Sequence, residues 1–189
     1  MAASFPSSKK SYSSKTDNVD DVDAEDINEL QEESAAIQNL FWRNSIAYET
    51  NARNTIGTGS WTVVDYEDEI YDEQDAVTTG SSWKFEPPVD GLYSVDACIH
   101  FESATMAGNE IFALRVSING SSYRVIDETY IQSGGQSRAV FLGGSTKIDV
   151  NTDDDVNIEV YQSTGAAKTI SSSADYNHVE IALIGTPAA

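Results

Sequence analysis

The stretch Trp83-Lys84-Phe85-Glu86-Pro87-Pro88-Val89-Asp90-Gly91-Leu92-Tyr93-Ser94-Val95 decides the fold. Pro87 and Pro88 fix an extended approach, because the proline ring locks φ and removes a backbone donor. Asp90-Gly91 reads as a tight turn that reverses the chain. Beyond it, Leu92-Tyr-Ser-Val-Asp-Ala-Cys-Ile-His-Phe101 has the alternation of a strand. A period of two puts Tyr93, Val95, Ala97 and Ile99 on one face, turned either to a core or to a second subunit.

Further strands stand on both sides of this one. Thr62-Val-Val, Ile111-Phe-Ala-Leu-Arg-Val-Ser-Ile, Tyr123-Arg-Val-Ile, Arg138-Ala-Val-Phe-Leu, Lys147-Ile-Asp-Val, Val156-Asn-Ile-Glu-Val-Tyr and His178-Val-Glu-Ile-Ala-Leu-Ile are apolar and rich in β-branched residues. Turn signals separate them: Asn119-Gly120, Ser133-Gly-Gly, Leu142-Gly-Gly and Asp153-Asp-Asp. Asn119-Gly120 is the best hairpin signal, since both residue types tolerate the positive φ of a two-residue turn. Short strands with polar turns and no helices between them predict an all-β antiparallel sandwich or barrel and exclude a parallel α/β fold. Asp65-Tyr-Glu-Asp-Glu-Ile-Tyr-Asp-Glu-Gln-Asp75 breaks the pattern with seven carboxylates and no cation. Like charges at that density predict an exposed loop.

The N-terminal part has a different texture. Residues 1–21 are mostly Ser, Lys, Asp and Asn, which predicts an extended or disordered arm. Lys9, Lys10 and Lys15, with Phe5 and Tyr12, make it locally basic and sticky on an acidic chain. Residues 23–44 read as a helix, with Asp23 as cap and Glu25 and Asp26 in the first turn, where the dipole favours negative charge. Ile27, Leu30, Ile37 and Phe41 form a two-heptad stripe, with Ser34 at the remaining seam position. So short a helix is marginal alone, so its stripe needs a cover. The expected organisation is an arm at 1–21, a helical anchor or trimerisation segment with linker at 22–55, and a sandwich at 56–189.

Thirty-one acidic residues against eleven basic ones give a formal charge of -20 across 189 residues. That balance argues against nucleic acid and anionic lipid as partners. No apolar run approaches the roughly 18 residues of a membrane span. The first ten residues lack the apolar centre of a secretory signal. One cysteine, Cys98, makes no internal disulfide. The expectation is an acidic, soluble, non-secreted protein.

Trp83 to Val95, with its aromatic and prolines leading to Asp-Gly-x-Tyr and an apolar strand, resembles the central signature of the complement C1q / tumour necrosis factor superfamily. Val150-Asn-Thr-Asp-Asp-Asp155-Val156 is similar to that family's Gly-Asp-x-Val strand entrance, with Asp154 in place of Gly. Tyr176-Asn-His-Val-Glu-Ile181-Ala-Leu183-Ile184-Gly185 resembles its last strand, without the usual Phe-x-Gly. The likeness spans residues 56–186. It implies a jelly roll that associates as a homotrimer, with Tyr93 and Val95 as candidates for the threefold contact beside Ile27, Leu30, Ile37 and Phe41. The segment Asp26-Ile-Asn-Glu-Leu-Gln-Glu-Glu33 also resembles the short helical bundles before fibre domains in bacteriophage tail and head proteins.

Catalytic patterns are missing from the sequence. Only His100, His178 and Cys98 carry imidazole or thiol groups, in no metal-ligand spacing. Cys98 and His100 share a strand face, which leaves a contact between them open; a core role is the plainer reading. No cofactor is expected. Calcium is the one ion with ligand chemistry on offer, at Asp153-Asp-Asp155 or in the Asp65–Asp75 loop. Together these readings favour a non-enzymatic bacteriophage virion protein: a trimeric capsid-decoration or head-fibre protein anchored by its arm to other virion proteins. The alternative is a tail-fibre protein whose loops recognise a host surface glycan or protein, with Tyr123, Tyr130 and Tyr161 as candidates. A spore-coat or bacterial surface protein of the same fold is the remaining class.

Overall fold

The computed structural model describes residues 24–185. The arm residues Phe5, Lys9, Lys10, Tyr12 and Lys15, the cap Asp23 and the side chain of Phe41 lie outside the described part. The chain divides into two units, residues 1–43 and 44–189. In the first, helix α1 spans Ala24–Arg43. Its stripe residues Ile27, Leu30 and Ile37 are 48 %, 52 % and 42 % exposed. Ser34 donates its hydroxyl to the Leu30 carbonyl at 2.8 Å, so this polar seam residue is satisfied within its own helix.

The second unit is an antiparallel sandwich, with thirteen strands among the described residues. They are β1 (Ser45–Glu49), β2 (Thr55–Ile56), β3 (Thr62–Val63), β4 (Asp68–Asp72), β5 (Val77–Thr78), β6 (Lys84–Phe85) and β7 (Gly91–Thr105), followed by β8 (Glu110–Ile118), β9 (Ser121–Ile131), β10 (Ser137–Val150), β11 (Val156–Gln162), β12 (Lys168–Thr169) and β13 (His178–Gly185). One sheet runs β10-β7-β13-β1-β4 and the other β5-β6-β11-β8-β9, with β3 also on β11. Strands β12 and β2 form a small separate ladder. The core is the set of inward alternations: Tyr93, Val95, Ala97, Ile99 and Phe101 from β7 meet Phe112, Leu114 and Val116 from β8 and Val156, Ile158 and Val160 from β11. Aromatic edges lock the two layers, Phe85 on Tyr93 at 5.5 Å and Phe101 on Phe112 at 5.0 Å. Such pairs add to the burial itself. Asn119 and Gly120 both have positive φ, as the β8–β9 hairpin requires.

Three sequence expectations change. Ser45–Glu49, placed in a linker, is a strand between β13 and β4, so the sandwich begins at Asn44. Its partner β13 lies at the far end of the chain, a pairing no local pattern announces. The acidic stretch 65–75 is not a loop throughout: β4 forms an edge strand there, and Tyr66 is fully buried. The buried Asp72 carboxylate needs no cation. It accepts the Tyr48 hydroxyl at 3.1 Å and the backbone N–H groups of Gln74, Ala76 and Val77 at 3.3, 3.0 and 3.0 Å.

The third is Leu142-Gly-Gly, read as a turn between two strands, which lies inside the continuous strand β10 and pairs with β7. At Gly91, which opens β7, φ is not positive, so no unusual backbone torsion calls for glycine. The strand end simply passes too close: a Cβ would sit 2.5 Å from Leu183 Cδ1 and 2.7 Å from the Gly185 carbonyl oxygen. Tyr93 completes the corner by donating its hydroxyl to the Val89 carbonyl at 2.9 Å.

Candidate assembly face

Strands β10, β7, β13 and β1 expose the residues that fall out of phase with the core, and register arranges them in rows. Directly opposed residues on antiparallel strands share a face. Phe141 lies opposite His100; Gly143, Cys98, His178 and Glu49 form the next row; Ser145, Asp96 and Glu180 form the one after, which ends on β1 at the buried Ala47. On β10, Phe141 is the large apolar residue of the outward phase, between inward Val140 and Leu142.

His100 and Phe141 stack face to face, with ring centroids 3.9 Å apart and planes 8° from parallel. Tyr176, from the 3-10 turn Ala174–Tyr176, meets both rings edge-on at 5.4 Å. Phe141 and Tyr176 remain 52 % and 46 % exposed. Beneath this cap lies a polar knot around Asn177, which is fully buried. Its Oδ1 accepts the His100 backbone N–H at 2.8 Å, and its Nδ2 donates to the Ser171 carbonyl (2.8 Å), the Ser171 hydroxyl (3.2 Å) and the Ser173 carbonyl (2.8 Å). The Ser171 N–H closes the loop onto the His100 carbonyl at 2.8 Å. His100 Nδ1 stands 3.0 Å from the Ser171 hydroxyl, while Nε2 is sealed and unpartnered. Burial pushes the imidazole below its ordinary range, and the Glu102 charge works against that shift.

The expected threefold contacts separate on this geometry. Tyr93 and Val95 are fully buried within one chain, so they are core residues with no surface to offer a neighbour. They are corrected from contact to core, because their phase on β7 is that of Ala97 and Ile99. Ile27, Leu30 and Ile37 keep exposed side chains. Phe141, Tyr176, Ser171 and Asn177 were missed. Only Phe141 left a legible signal, a large apolar residue in the outward phase of a strand; the others come from the irregular segment before β13.

The catalytic candidates do not converge on a reactive arrangement. Burial and the Asp127 charge push the Cys98 thiol up, away from the thiolate a nucleophile needs. Among the described residues no group of three or more acidic, histidine or cysteine side chains is placed to hold a metal. At the calcium candidate 153–155, Asp154 accepts the Asn151 N–H at 2.8 Å and an Asn119 amide hydrogen at 2.7 Å, which hold its carboxyl below the usual range. Asp155 pairs with Lys84 at 2.9 Å. On the other sheet, Trp61 packs on Tyr161 at 5.4 Å, with Arg115 4.1 Å from the Trp61 ring centroid and ion-paired to Glu159. No described helix is long and apolar enough to cross a membrane.

The fold is the C1q/TNF-like jelly roll, mostly antiparallel sheet with one short helix. The structure of Eiger TNF from S. frugiperda superposes with a TM-score of 0.58 at 8% identity, covering 77% of this chain and 94% of that one. Murine APRIL gives 0.54 at 9% identity (74% and 98% covered), and the globular domain of zebrafish complement 1qA protein gives 0.52 at 14% (76% and 99%). No protein-family model and no curated protein matches the sequence.

Proposed function

We propose that this chain is a non-enzymatic structural protein of a bacteriophage particle: a homotrimer anchored by its N-terminal segment to the capsid, as a decoration or head-fibre protein, with the jelly roll displayed outward. The observation that carries the self-association is the uncovered ring cap of Phe141, His100 and Tyr176 on an otherwise regular sheet face. Covering Phe141 and Tyr176 contributes on the order of 1–2 kcal/mol each, and three copies repeat the gain. The exposed stripe of α1 supplies a second apolar surface of the same kind. The likeness to domains that assemble about a threefold axis supports three as the number. The locally basic arm on an acidic chain, and the likeness of the helical segment to those before phage fibre domains, support the anchor and a place in the virion.

Size exclusion with light scattering tests the assembly: the full chain of 20.5 kDa should run at about three times that mass. Phe141→Asp should run as a folded monomer. A wild-type monomer at micromolar concentration would end the proposal. Images of purified particles test the location, with density on the shell expected and its absence from the particle the contrary result.

A second reading, recognition of a host glycan or protein by a tail-fibre protein, draws on exposed Tyr123 and Tyr130 on β9, with Arg124 5.7 Å from the Tyr123 ring. Tyr161, the third candidate, is instead packed on Trp61. Binding of the full chain on a glycan array, lost in Tyr130→Ala, distinguishes this reading from the first.

A further inference from the structure

We propose that His100 is an acid-operated latch: protonating its ring releases the segment Ile170–Asn177 from β7 and splits the Phe141–Tyr176 cap. The argument begins with donors and acceptors. Ser171 Oγ has one hydrogen and already accepts from Asn177 Nδ2. His100 Nδ1 meets this hydroxyl at 3.0 Å, with the donor set by the tautomer, and in either neutral tautomer only one ring nitrogen carries a proton. A protonated imidazole must donate from both nitrogens. Nδ1–H then donates to Ser171 Oγ, whose own hydrogen must point elsewhere, while the sealed Nε2–H carries cationic character with nothing to accept it. Nε2 is sealed, so water reaches it only if the groups packed around the ring, Phe141 and Tyr176 among them, move. An unpaired buried charge costs far more than an unpaired neutral group, so opening is the cheaper response.

The surrounding charges do not compensate. Glu102, two residues along β7, is the carboxylate whose charge reaches the ring, and it is paired with Arg53 at 2.6 Å. From β10 the ring meets the hydrocarbon face of Phe141. From the 3-10 turn it meets the Tyr176 ring, with Asp175 on the same turn. Cys98 and His178 occupy the next row. No carboxylate among the described residues bonds to either ring nitrogen. Because burial lowers the folded value below the ordinary 6.5, the closed form is favoured above that pH and progressively lost below it. Carboxylates of ordinary pKa change charge near 4, so a response between about pH 6.5 and 5 belongs to a histidine. Tyr176 and Phe141 belong to the proposed seam, so on that reading acid also loosens the assembly; the latch itself does not depend on it.

The test uses the full chain with labelled histidine, His100 being assigned as the resonance absent from His100→Phe. On titration its midpoint should fall below 6.5, and the Tyr176 ring resonances should move with the same midpoint. Amide exchange at Ser171 and Asn177, corrected for intrinsic rates, should be at least about tenfold faster near pH 5 than near pH 7.5. His100→Phe should show no such change. A His100 midpoint at or above 6.5, protection that stays flat through the titration, or equal acid loosening in His100→Phe would overturn the latch. Should that variant not fold, coincidence of the His100 and Tyr176 midpoints in the wild type supports the latch and divergence overturns it. Sizing at both pH values keeps the two ideas apart, since a wild-type monomer throughout sinks the trimer while the resonances still judge the latch.

Discussion

At Gly91 the constraint comes from a neighbouring strand rather than from backbone torsion. A methyl group there meets the Gly185 carbonyl, which is backbone and yields little, as well as the more flexible end of Leu183. Gly91→Ala should therefore destabilise the sandwich by about 1–3 kcal/mol, in the range of overpacked cores. The urea midpoint measures it, and an unchanged midpoint would show that β13 has room to shift. Tyr93, two residues on, carries a pH dependence. Burial pushes its phenol up to about 12, and burial also raises Tyr48 and Tyr66. The folded state thus holds protons that the unfolded chain releases above about 10, so stability falls as pH rises through that value. Thermal midpoints should be level up to about pH 9 and drop beyond it, with the phenolate absorbance of the buried tyrosines appearing only on unfolding.

Among the elements, β4 shows how an acidic segment enters a sheet. Asp72 Oδ1 takes two backbone N–H groups and Oδ2 takes the Tyr48 hydroxyl and a third N–H, so the carboxylate organises the turn after its own strand. Asp72→Asn keeps the shape but turns one oxygen into a donor facing donors. A loss of about 2–3 kcal/mol is expected, read as a lower urea midpoint with unchanged slope. The charge count of residues 65–75 is visible in the sequence; that one carboxylate is buried and satisfied is not, because its partners Tyr48 and Ala76 are set by the fold. The long strand β7 was legible because a period of two needs no tertiary information, whereas Gly143-Gly144, read as a turn, is carried through the continuous strand β10 by its pairing with β7. β1 was not, since its five residues gain meaning only opposite Val179 and Ile181 on β13. The site divides the same way: Phe141 stands out of phase in its own strand, whereas Tyr176, Ser171 and Asn177 come from a segment without periodicity.

For the whole molecule, as the proposed trimer, net charge and apolar seam pull against each other. Each chain carries a formal -20, so bringing three together concentrates negative charge, while covering Phe141 and Tyr176 is non-directional and little affected by screening. At about 0.1 M salt the screening length is about 10 Å, shorter than the span of a domain of this size, and most of the repulsion between copies is then removed. Raising sodium chloride from about 20 to about 200 mM should tighten the trimer, seen in light scattering as mass retained to lower protein concentration. The thermal midpoint should rise with protein concentration for the same reason, because association stabilises only the folded form. Phe141→Asp should lose both dependences while keeping the β-sheet circular dichroism of the wild type. Salt that instead dissociates the assembly would place its strength in charge pairs between copies, and the cap would then be a bystander at its own seam.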